Sequence, residues 1–129
     1  MQTLEDAARI ALALPEVTEG VSYRHRAWSV GKKHFAWERP FTKADILRFG
    51  DATPPDGDIL AVRVEDLHEK EAVLAANPQA FFTIPHFDGY AAILIQLRKV
   101  TKHALHEAIE GAWLACAPEP LARAYLDPT

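Results

Sequence analysis

The feature that most constrains the fold is a pair of apolar segments, Ala80–Ile84 and Ala91–Leu97, separated by the polar stretch Pro85–Tyr90. Both apolar segments are rich in the β-branched and aromatic residues that strands favour. Between them, a proline cannot donate to a strand ladder, and the Asp-Gly pair at 88–89 strongly favours a turn. This pattern predicts a β-hairpin at the centre of a sheet on which helices pack.

Periodicity and capping residues along the rest of the chain predict the order α-β-β-β-β-α-β-β-α. Thr3 and Thr101 are suitable N-caps for the first and last helices. Because short hairpin connections dominate, an α+β fold is expected, with one mostly antiparallel sheet and helices packed mainly on one face. Besides the hairpin, the predicted elements are helices at about Leu4–Leu14, Asp66–Ala76 and Lys102–Ala115, and strands at Val21–Arg24, Ala27–Val30, His34–Arg39 and Ile59–Val64.

An early hairpin is predicted around Gly31 and Lys32, a plausible two-residue turn. Strand alternation places Trp28, Phe35 and Trp37 together on its inner face. The region after this hairpin is ambiguous, because 44–49 fits either a short strand or a turn of helix. One more helical turn is possible at 121–126.

Length and composition indicate an ordinary globular protein. The chain has 129 residues, of which 49% are hydrophobic and 25% charged, and we expect one domain spanning 1–129. The single Cys116 rules out an internal disulfide and favours a reducing, cytoplasmic setting. The acidic N-terminus predicts no signal peptide, and no apolar run is long enough to span a membrane. The formal net charge of −4 weakly opposes a general nucleic-acid binder.

Several motifs resemble those of the MmcQ/YjbR-like family. The run at 27–37, AWSVGKKHFAW, is similar to that family's W-x-V-x-x-K-x-F-A hairpin. The run at 82–90, FTIPHFDGY, resembles the branch that carries F-x-T-P-H-Y-D-G-Y, and the ends of the first and last helices fit as well. The resemblance spans most of the chain. It implies a small cytoplasmic α+β domain with a "double wing" architecture, often described as DNA-binding, whose biochemical role is poorly defined and which has no established catalytic residues.

A basic segment is the first candidate site. From Arg24 to Arg48 there are seven lysines and arginines against two acids, a formal charge of +5, so the remainder of the chain carries −9. A basic β-hairpin could position phosphates without reading sequence. DNA is therefore the candidate partner, and the alternative is an ordinary solvated surface. The residues expected to contact nucleic acid are Arg24, Arg26, Lys32, Lys33 and Arg39.

The second candidate site is a small-molecule pocket at the 85–90 turn, lined by Tyr23, His25, His86 and Tyr90. His86 and Asp88 alone are too few for a metal site, which needs three or four convergent ligands, so no metal or other cofactor is expected. A third possibility is a protein-interaction domain, including a homodimer. No nucleophile or acid–base pair is placed by the sequence, so no catalytic residues are assigned and a non-enzymatic module is expected.

Overall fold

Short local signals explain where most elements of the molecule begin and end. In the computed structural model, which describes residues 1–128, Thr3 and Thr42 each form a capping box, and the side chains of Asp66 and Thr101 cap two further helices. The helices are α1 Leu4–Leu12, α2 Lys43–Phe49, α3 Leu67–Ala76, α4 Lys102–Cys116 and α5 Glu119–Leu126, and a 3-10 turn covers Pro85–Phe87. The strands are β1 Thr18–Ser22, β2 His25–Val30, β3 Lys33–Glu38, β4 Ile59–Arg63, β5 Phe81–Phe82 and β6 Ala92–Gln96.

The strands form one six-stranded sheet in the order β1-β2-β3-β4-β6-β5, and every neighbouring pair is antiparallel. This arrangement confirms the predicted α+β class and the antiparallel sheet. None of the helices within residues 1–128 combines the length and apolar character needed to cross a bilayer.

Helices α1 and α4 cover one face of the sheet, which we call the closed face. Trp28, Phe35 and Leu60 from the strands and Trp113 from α4 are fully buried there. The indole Nε1 of Trp113 donates to the carbonyl of Pro15 at 3.1 Å, which ties α4 to the end of the α1 segment. Side chains of α3 and α5 pack at the margin of the same core.

The opposite face, which we call the open face, has a smaller core. Ile59, Ala61, Phe87 and Leu94 are buried there, and aromatic side chains pack around them. Helix α2 lies against the 3-10 turn on this side of the sheet. The peripheral aromatics are Trp37, Phe41, Phe49 and Phe82.

A β-bulge in β3 decides which face Trp37 occupies. Trp28 pairs with Ala36 while Ser29 pairs with His34, so Phe35 is an extra residue in β3. The bulge leaves Phe35 and Ala36 both in the closed-face core and turns Trp37 to the open face. The prediction that Trp28, Phe35 and Trp37 share one face is therefore wrong for Trp37, because strict alternation cannot account for an inserted residue.

Other predicted elements need correction. The hairpin at 80–97 lies at one edge of the sheet rather than its centre, because β5 pairs only with β6 and no strand lies beyond it in the described chain. β5 itself has only two residues, and a 3-10 turn follows it. The first strand is Thr18–Ser22, not Val21–Arg24, because Tyr23 and Arg24 form the turn. The ambiguous segment at 44–49 is helical, and the C-terminal turn at 121–126 belongs to the full helix α5.

Candidate functional site

A cleft of about 850 Å³ opens on the open face. Its volume lies within the roughly 300–1,000 Å³ typical of small-molecule sites. Its walls come from the β1–β2 turn, strand β3 with the residues that follow it, the end of β4, and the 3-10 turn. The lining residues are Ser22, Tyr23, His25, Lys33, His34, Trp37, Glu38, Arg39, Pro40, Thr42, Arg63, His86, Phe87 and Tyr90.

The four residues predicted to share a pocket all line this cleft. Tyr23 and His25 reach it from the β1–β2 turn, and His86 and Tyr90 reach it from the segment between β5 and β6. They are distant in sequence, and the antiparallel sheet brings the two turns to one opening.

Aromatic rings packed at tilted or edge-to-face angles, together with two guanidinium groups, form one side of the cleft. The Phe87 and Tyr90 ring centroids are 5.5 Å apart, and the Trp37 centroid is 6.4 Å from each of them. The Arg39 guanidinium carbon lies 5.7 Å from the Phe87 centroid, and that of Arg63 lies 5.3 Å from the Tyr90 centroid. Both distances are within the range of a cation–π contact, so each arginine is held against a ring.

The two arginines differ in their charge partners. Arg39 Nη1 donates to Asp45 Oδ2 at 2.9 Å. Burial by itself would raise the pKa of Asp45, but the backbone N–H of Thr42 and the guanidinium of Arg39 outweigh it and hold that pKa below its usual value. The positive charge of Arg39 is thereby largely compensated.

Arg63 has no ion-pair partner within residues 1–128, and its Nε is buried without a hydrogen-bond acceptor in that range. A buried donor without a partner is destabilising by about 1–3 kcal/mol. Glu38 carries the only carboxylate among the described residues that line the cleft. The end of the cleft near Arg63 therefore carries a guanidinium that has no ion-pair partner among the described residues, although Arg63 also borders a second groove lined by Glu65, Glu69 and Glu107.

A buried lysine supports the turn that forms one wall of the cleft. Lys70 of α3 is 7% exposed, and its Nζ donates to the carbonyls of Phe87 at 2.7 Å and Tyr90 at 2.9 Å. Burial lowers the pKa of the Lys70 ammonium, and the carboxylate of Asp88 partly opposes this effect. Lys70 thus fixes the backbone that presents His86 and Tyr90 to the cleft.

The five residues predicted to bind nucleic acid do not form one surface. Arg24 and Lys32 occupy the turns at opposite ends of β2. Arg26 is ion-paired with Glu19 and Glu5 beside α1, and these carboxylates raise its pKa.

The remaining two predicted cations lie nearer the cleft. Lys33 borders it but pairs in register with Val30 of the closed face, and its charge acts on the thiol of Cys116. Arg39 lines the cleft directly. Only these two of the five belong to the cleft.

Other polar contacts near the cleft are cross-strand pairs. Ser29 Oγ and His34 Nδ1 are 2.6 Å apart on opposite strands, and His25 Nδ1 lies 3.7 Å from Glu38 Oε1. In the described part of the chain, no three His, Cys, Asp or Glu side chains are grouped so that they could hold a metal ion. The polar chemistry of the cleft is therefore that of cations, histidines and aromatic rings.

Sequence reasoning missed Arg63, Lys70 and the position of Trp37. Arg63 is a lone charge at the end of the apolar run Ile59–Val64, on the same side as Ala61. Lys70 occupies an apolar position of α3, one turn before Val73 and Leu74, which pack on the core. A single charge at an apolar position was the available indication for both residues.

Comparison with known proteins supports the resemblance in sequence and in fold. The uncharacterized protein Rv2570 of Mycobacterium tuberculosis and the uncharacterized protein Mb2600 of Mycobacterium bovis are each 44% identical over 128 residues, which cover 98% of this chain and 97% of each relative. The crystal structure of Deinococcus radiodurans protein DR2400, a DUF419 domain, is similar with a TM-score of 0.62 at 21% identity, covering 88% of this chain and 78% of that one. The YjbR family model matches residues 12–115. As the motifs at 27–37 and 82–90 predicted, the chain belongs to the YjbR family.

Proposed function

We propose that this protein is a non-enzymatic module that binds a small anionic molecule in the open-face cleft. The observation that carries the proposal is Arg63, whose guanidinium lies against Tyr90 and has no carboxylate partner within the described chain. An anion at this point would compensate the charge of the guanidinium.

The composition of the cleft supports the same class of ligand. His25, His34 and His86 join the arginines along the lining, against the single carboxylate of Glu38. Apolar ring surface from Trp37, Phe87 and Tyr90 provides area for the uncharged part of a ligand. Such a combination of apolar walls and a few convergent charges is typical of small-molecule sites.

A binding role is preferred over turnover because of the way the potential reactive groups are held. Ser29 and His34 form an exposed cross-strand hydrogen bond, which is a common stabilising pair in antiparallel sheets. Cys116 is buried in the closed face, and burial raises the pKa of its thiol, which disfavours the nucleophilic thiolate.

Contact with DNA through the β2–β3 turn is the second candidate function. The observation in its favour is Lys32, which is exposed at the tip of that turn. The expected behaviour is salt-sensitive binding of duplex DNA that disappears in Lys32→Glu/Lys33→Glu. Fluorescence anisotropy at low and physiological salt measures this, and binding of the charge-reversed variant with wild-type affinity would exclude the turn as the contact.

The anion-binding proposal is tested by NMR titration of the labelled protein with phenyl phosphate, benzoate, cyclohexyl phosphate and cyclohexanecarboxylate. We expect at least one of these anions to perturb backbone amides of the cleft, and Arg63→Gln to weaken that binding by about tenfold or more, as expected for loss of a charge-assisted hydrogen bond. Arg98→Gln is the matched control, because Arg98 is exposed and pairs with Asp56 away from the cleft. Absence of cleft perturbation by all four anions, or equal binding by Arg63→Gln, would refute the proposal.

A further inference from the structure

The two edges of the sheet differ in how open they are to pairing with another strand. At one edge, β5 has only two residues and the chain soon reaches Pro85, so little backbone is left to receive a further strand. At the other edge, β1 has five residues, and its register with β2 runs without interruption. Natural edge strands are usually protected by lysine, proline or a bulge. The strand β1 has none of these, so its outer edge is open to pairing.

The backbone groups available at this edge belong to Glu19 and Val21. Ser22 and His25 close the two-residue loop and pair across it, so the backbone N–H and C=O of Ser22 point toward β2. Because these directions alternate along a strand, the same groups of Val21 and Glu19 point outward. Within residues 1–128, no backbone group outside β1 and β2 forms a hydrogen bond with either residue.

The side chains of β1 are not arranged to repel a second strand. Arg26 Nε donates to Glu19 Oε2 at 2.9 Å, and the indole Nε1 of Trp28 donates to Glu19 Oε1 at 2.9 Å, so the charge of Glu19 is compensated within the chain. Val21 is an apolar side chain that is 74% exposed and would be stabilised by being covered. A Cβ at Gly20 would have nothing within 4 Å, so another backbone can approach closely there.

A second copy of β1 fits this edge in one antiparallel register. With Gly20 opposite the second copy's Gly20, every residue of β1 has a partner, and each Glu19 exchanges backbone hydrogen bonds with the other copy's Val21. A shift of one residue would set outward-pointing groups against inward-pointing ones. A shift of two residues would place Glu19 either directly opposite Glu19 of the other copy, which is unfavourable for like charges, or beyond the partner strand, opposite Tyr23.

The same register brings opposite charges together at both ends of the paired strands. Glu16, just before β1, comes alongside Arg24 of the second copy, and the symmetry of the pair repeats this contact at the other end. Both residues are exposed, and neither makes an ion pair or a side-chain hydrogen bond within residues 1–128. Val17 comes opposite Tyr23, whose side chain is 94% exposed in the single chain. The exposed turn at the end of β1 thereby gains both a charged and an apolar partner.

From this arrangement we propose that β1 is a homodimer interface, at which two copies pair antiparallel about Gly20 and continue the sheet from one molecule into the next. A strand of five residues is a small interface beside the roughly 1,200–2,000 Å² buried in stable complexes. The dimer is therefore expected to be reversible, with a micromolar or weaker Kd. It does not depend on a ligand in the open-face cleft.

Sedimentation equilibrium measures this association between about 5 and 1,000 µM protein, a range chosen for so small an interface. We expect the average mass to rise from that of a monomer toward that of a dimer. The amides of Glu19 and Val21 should become more protected from hydrogen exchange as the concentration rises, because they acquire acceptors. A monomer throughout this range, or a dimer in which these two amides stay unprotected, would overturn the proposal.

The variant Val21→Pro tests the backbone pairing. It should stay folded, because an edge N–H that faces solvent in the monomer makes no bond that proline would remove. We expect Kd to rise by about tenfold or more, since the outward donor is lost from both copies. Val21→Thr is the matched control, because it keeps the N–H and the branched shape, and its Kd should stay within about threefold of the wild type. Equal values for the two variants would exclude pairing through this edge.

Charge reversal at the strand ends tests the register without proline. Arg24→Glu and Glu16→Arg each bring like charges together at both ends, so each should raise Kd by about tenfold. The double variant restores opposite charges and should dimerise within about threefold of the wild type. Lys102→Glu, at the start of α4, makes the same change in net charge as Arg24→Glu and should leave Kd unaltered. Weakening that the double variant does not reverse, or no weakening in either single variant, would refute this register and the interface with it.

Discussion

The two faces of the sheet are built from the same strands but differ in how far their side chains are buried. On the closed face, α1 and α4 bury Trp28 and Trp113 completely. The indole N–H of Trp113 donates to a backbone carbonyl. On the open face, Trp37 is only partly covered and lies beside two arginines and an 850 Å³ cleft. The comparison shows how one sheet can separate the residues that stabilise it from those available to a ligand.

The difference also explains where polar groups are tolerated. Arg63 is a charged residue in an otherwise apolar strand and Lys70 is a buried lysine in a helix, and both lie next to the cleft or the turn that shapes it. Buried charges are destabilising unless they are paired or hydrogen-bonded. Lys70 is satisfied by two carbonyls, whereas Arg63 retains an unpartnered donor within the described chain.

The largest expected effect comes from replacing one tryptophan on each face by alanine. Trp113→Ala should lower the free energy of unfolding by about 3–5 kcal/mol, because it removes a fully buried ring. Trp37→Ala should cost about 1–2 kcal/mol, since its ring is partly exposed, and should weaken binding of anions in the cleft. Urea denaturation measures both values, and equal losses would show that the two faces contribute alike to stability.

The next effect concerns the support of the cleft wall. Lys70→Met should destabilise the protein by about 1–3 kcal/mol, because it removes two charge-assisted hydrogen bonds to the carbonyls of Phe87 and Tyr90, which keep only their backbone donors. Hydrogen exchange should accelerate at the amides of Asp88 and Tyr90, which bond within the same turn. Lys102→Met is the control, an exposed lysine for which we expect a change within about 0.5 kcal/mol. Unchanged exchange in the turn would rule out the supporting role of Lys70.

A smaller, pH-dependent effect is expected at Asp45. Its pKa in the folded state lies below the ordinary value of 3.8, so the unfolded chain takes up the proton first as the pH falls. The stability that Asp45 contributes is therefore present above pH 3.8 and is lost as the pH falls through the folded-state pKa. Asp45→Asn should cost about 1–2 kcal/mol at pH 7, from the lost contacts to Arg39 and Thr42, and progressively less as the pH falls below 3.8.

Urea denaturation across this pH range measures the Asp45 contribution. Asp51→Asn provides the matched control, because Asp51 is an exposed loop carboxylate close in sequence. Its effect should stay within about 0.5 kcal/mol at every pH. An Asp45→Asn cost that does not shrink in acid would mean that the contribution of Asp45 does not depend on its charge.

Local chemistry predicted much of the fold. The N-caps Thr3 and Thr101 mark the observed starts of α1 and α4, and the Gly31–Lys32 pair forms the expected two-residue turn. The extra residue at Phe35 could not be predicted, because a bulge leaves no mark in the apolar pattern of β3. The length of β5 was overestimated because composition indicates a strand but not how many of its residues find a partner.

The candidate site was predicted only in part, because some of its residues are defined by contacts between segments distant in sequence. The four residues expected to share a pocket were chosen by their chemistry, and the structure places them along one cleft. Arg63 was overlooked because its segment reads as core, and Lys70 because its neighbours in α3 are exposed polar residues. The roles of both depend on residues far away in sequence. The positive charge of the basic segment was evident from the sequence. Its residues are distributed over turns and both faces of the sheet, and this distribution depends on strand register, which cannot be obtained by counting charges.

The bulge at Phe35 has a consequence for how this protein can change over generations. Substituting one amino acid for another within β3 leaves each position facing the same side of the sheet, so most point mutations do not change which side chains line the cleft and which pack in the closed-face core. Loss of the Phe35 codon would restore plain alternation, with Ala36 still opposite Trp28 and Trp37 still opposite Ala27, so Trp37 would stay on the open face while the closed-face core lost the Phe35 ring. Within this strand, the position of Trp37 in the cleft therefore survives loss of the extra residue, whereas the packing of the closed face does not.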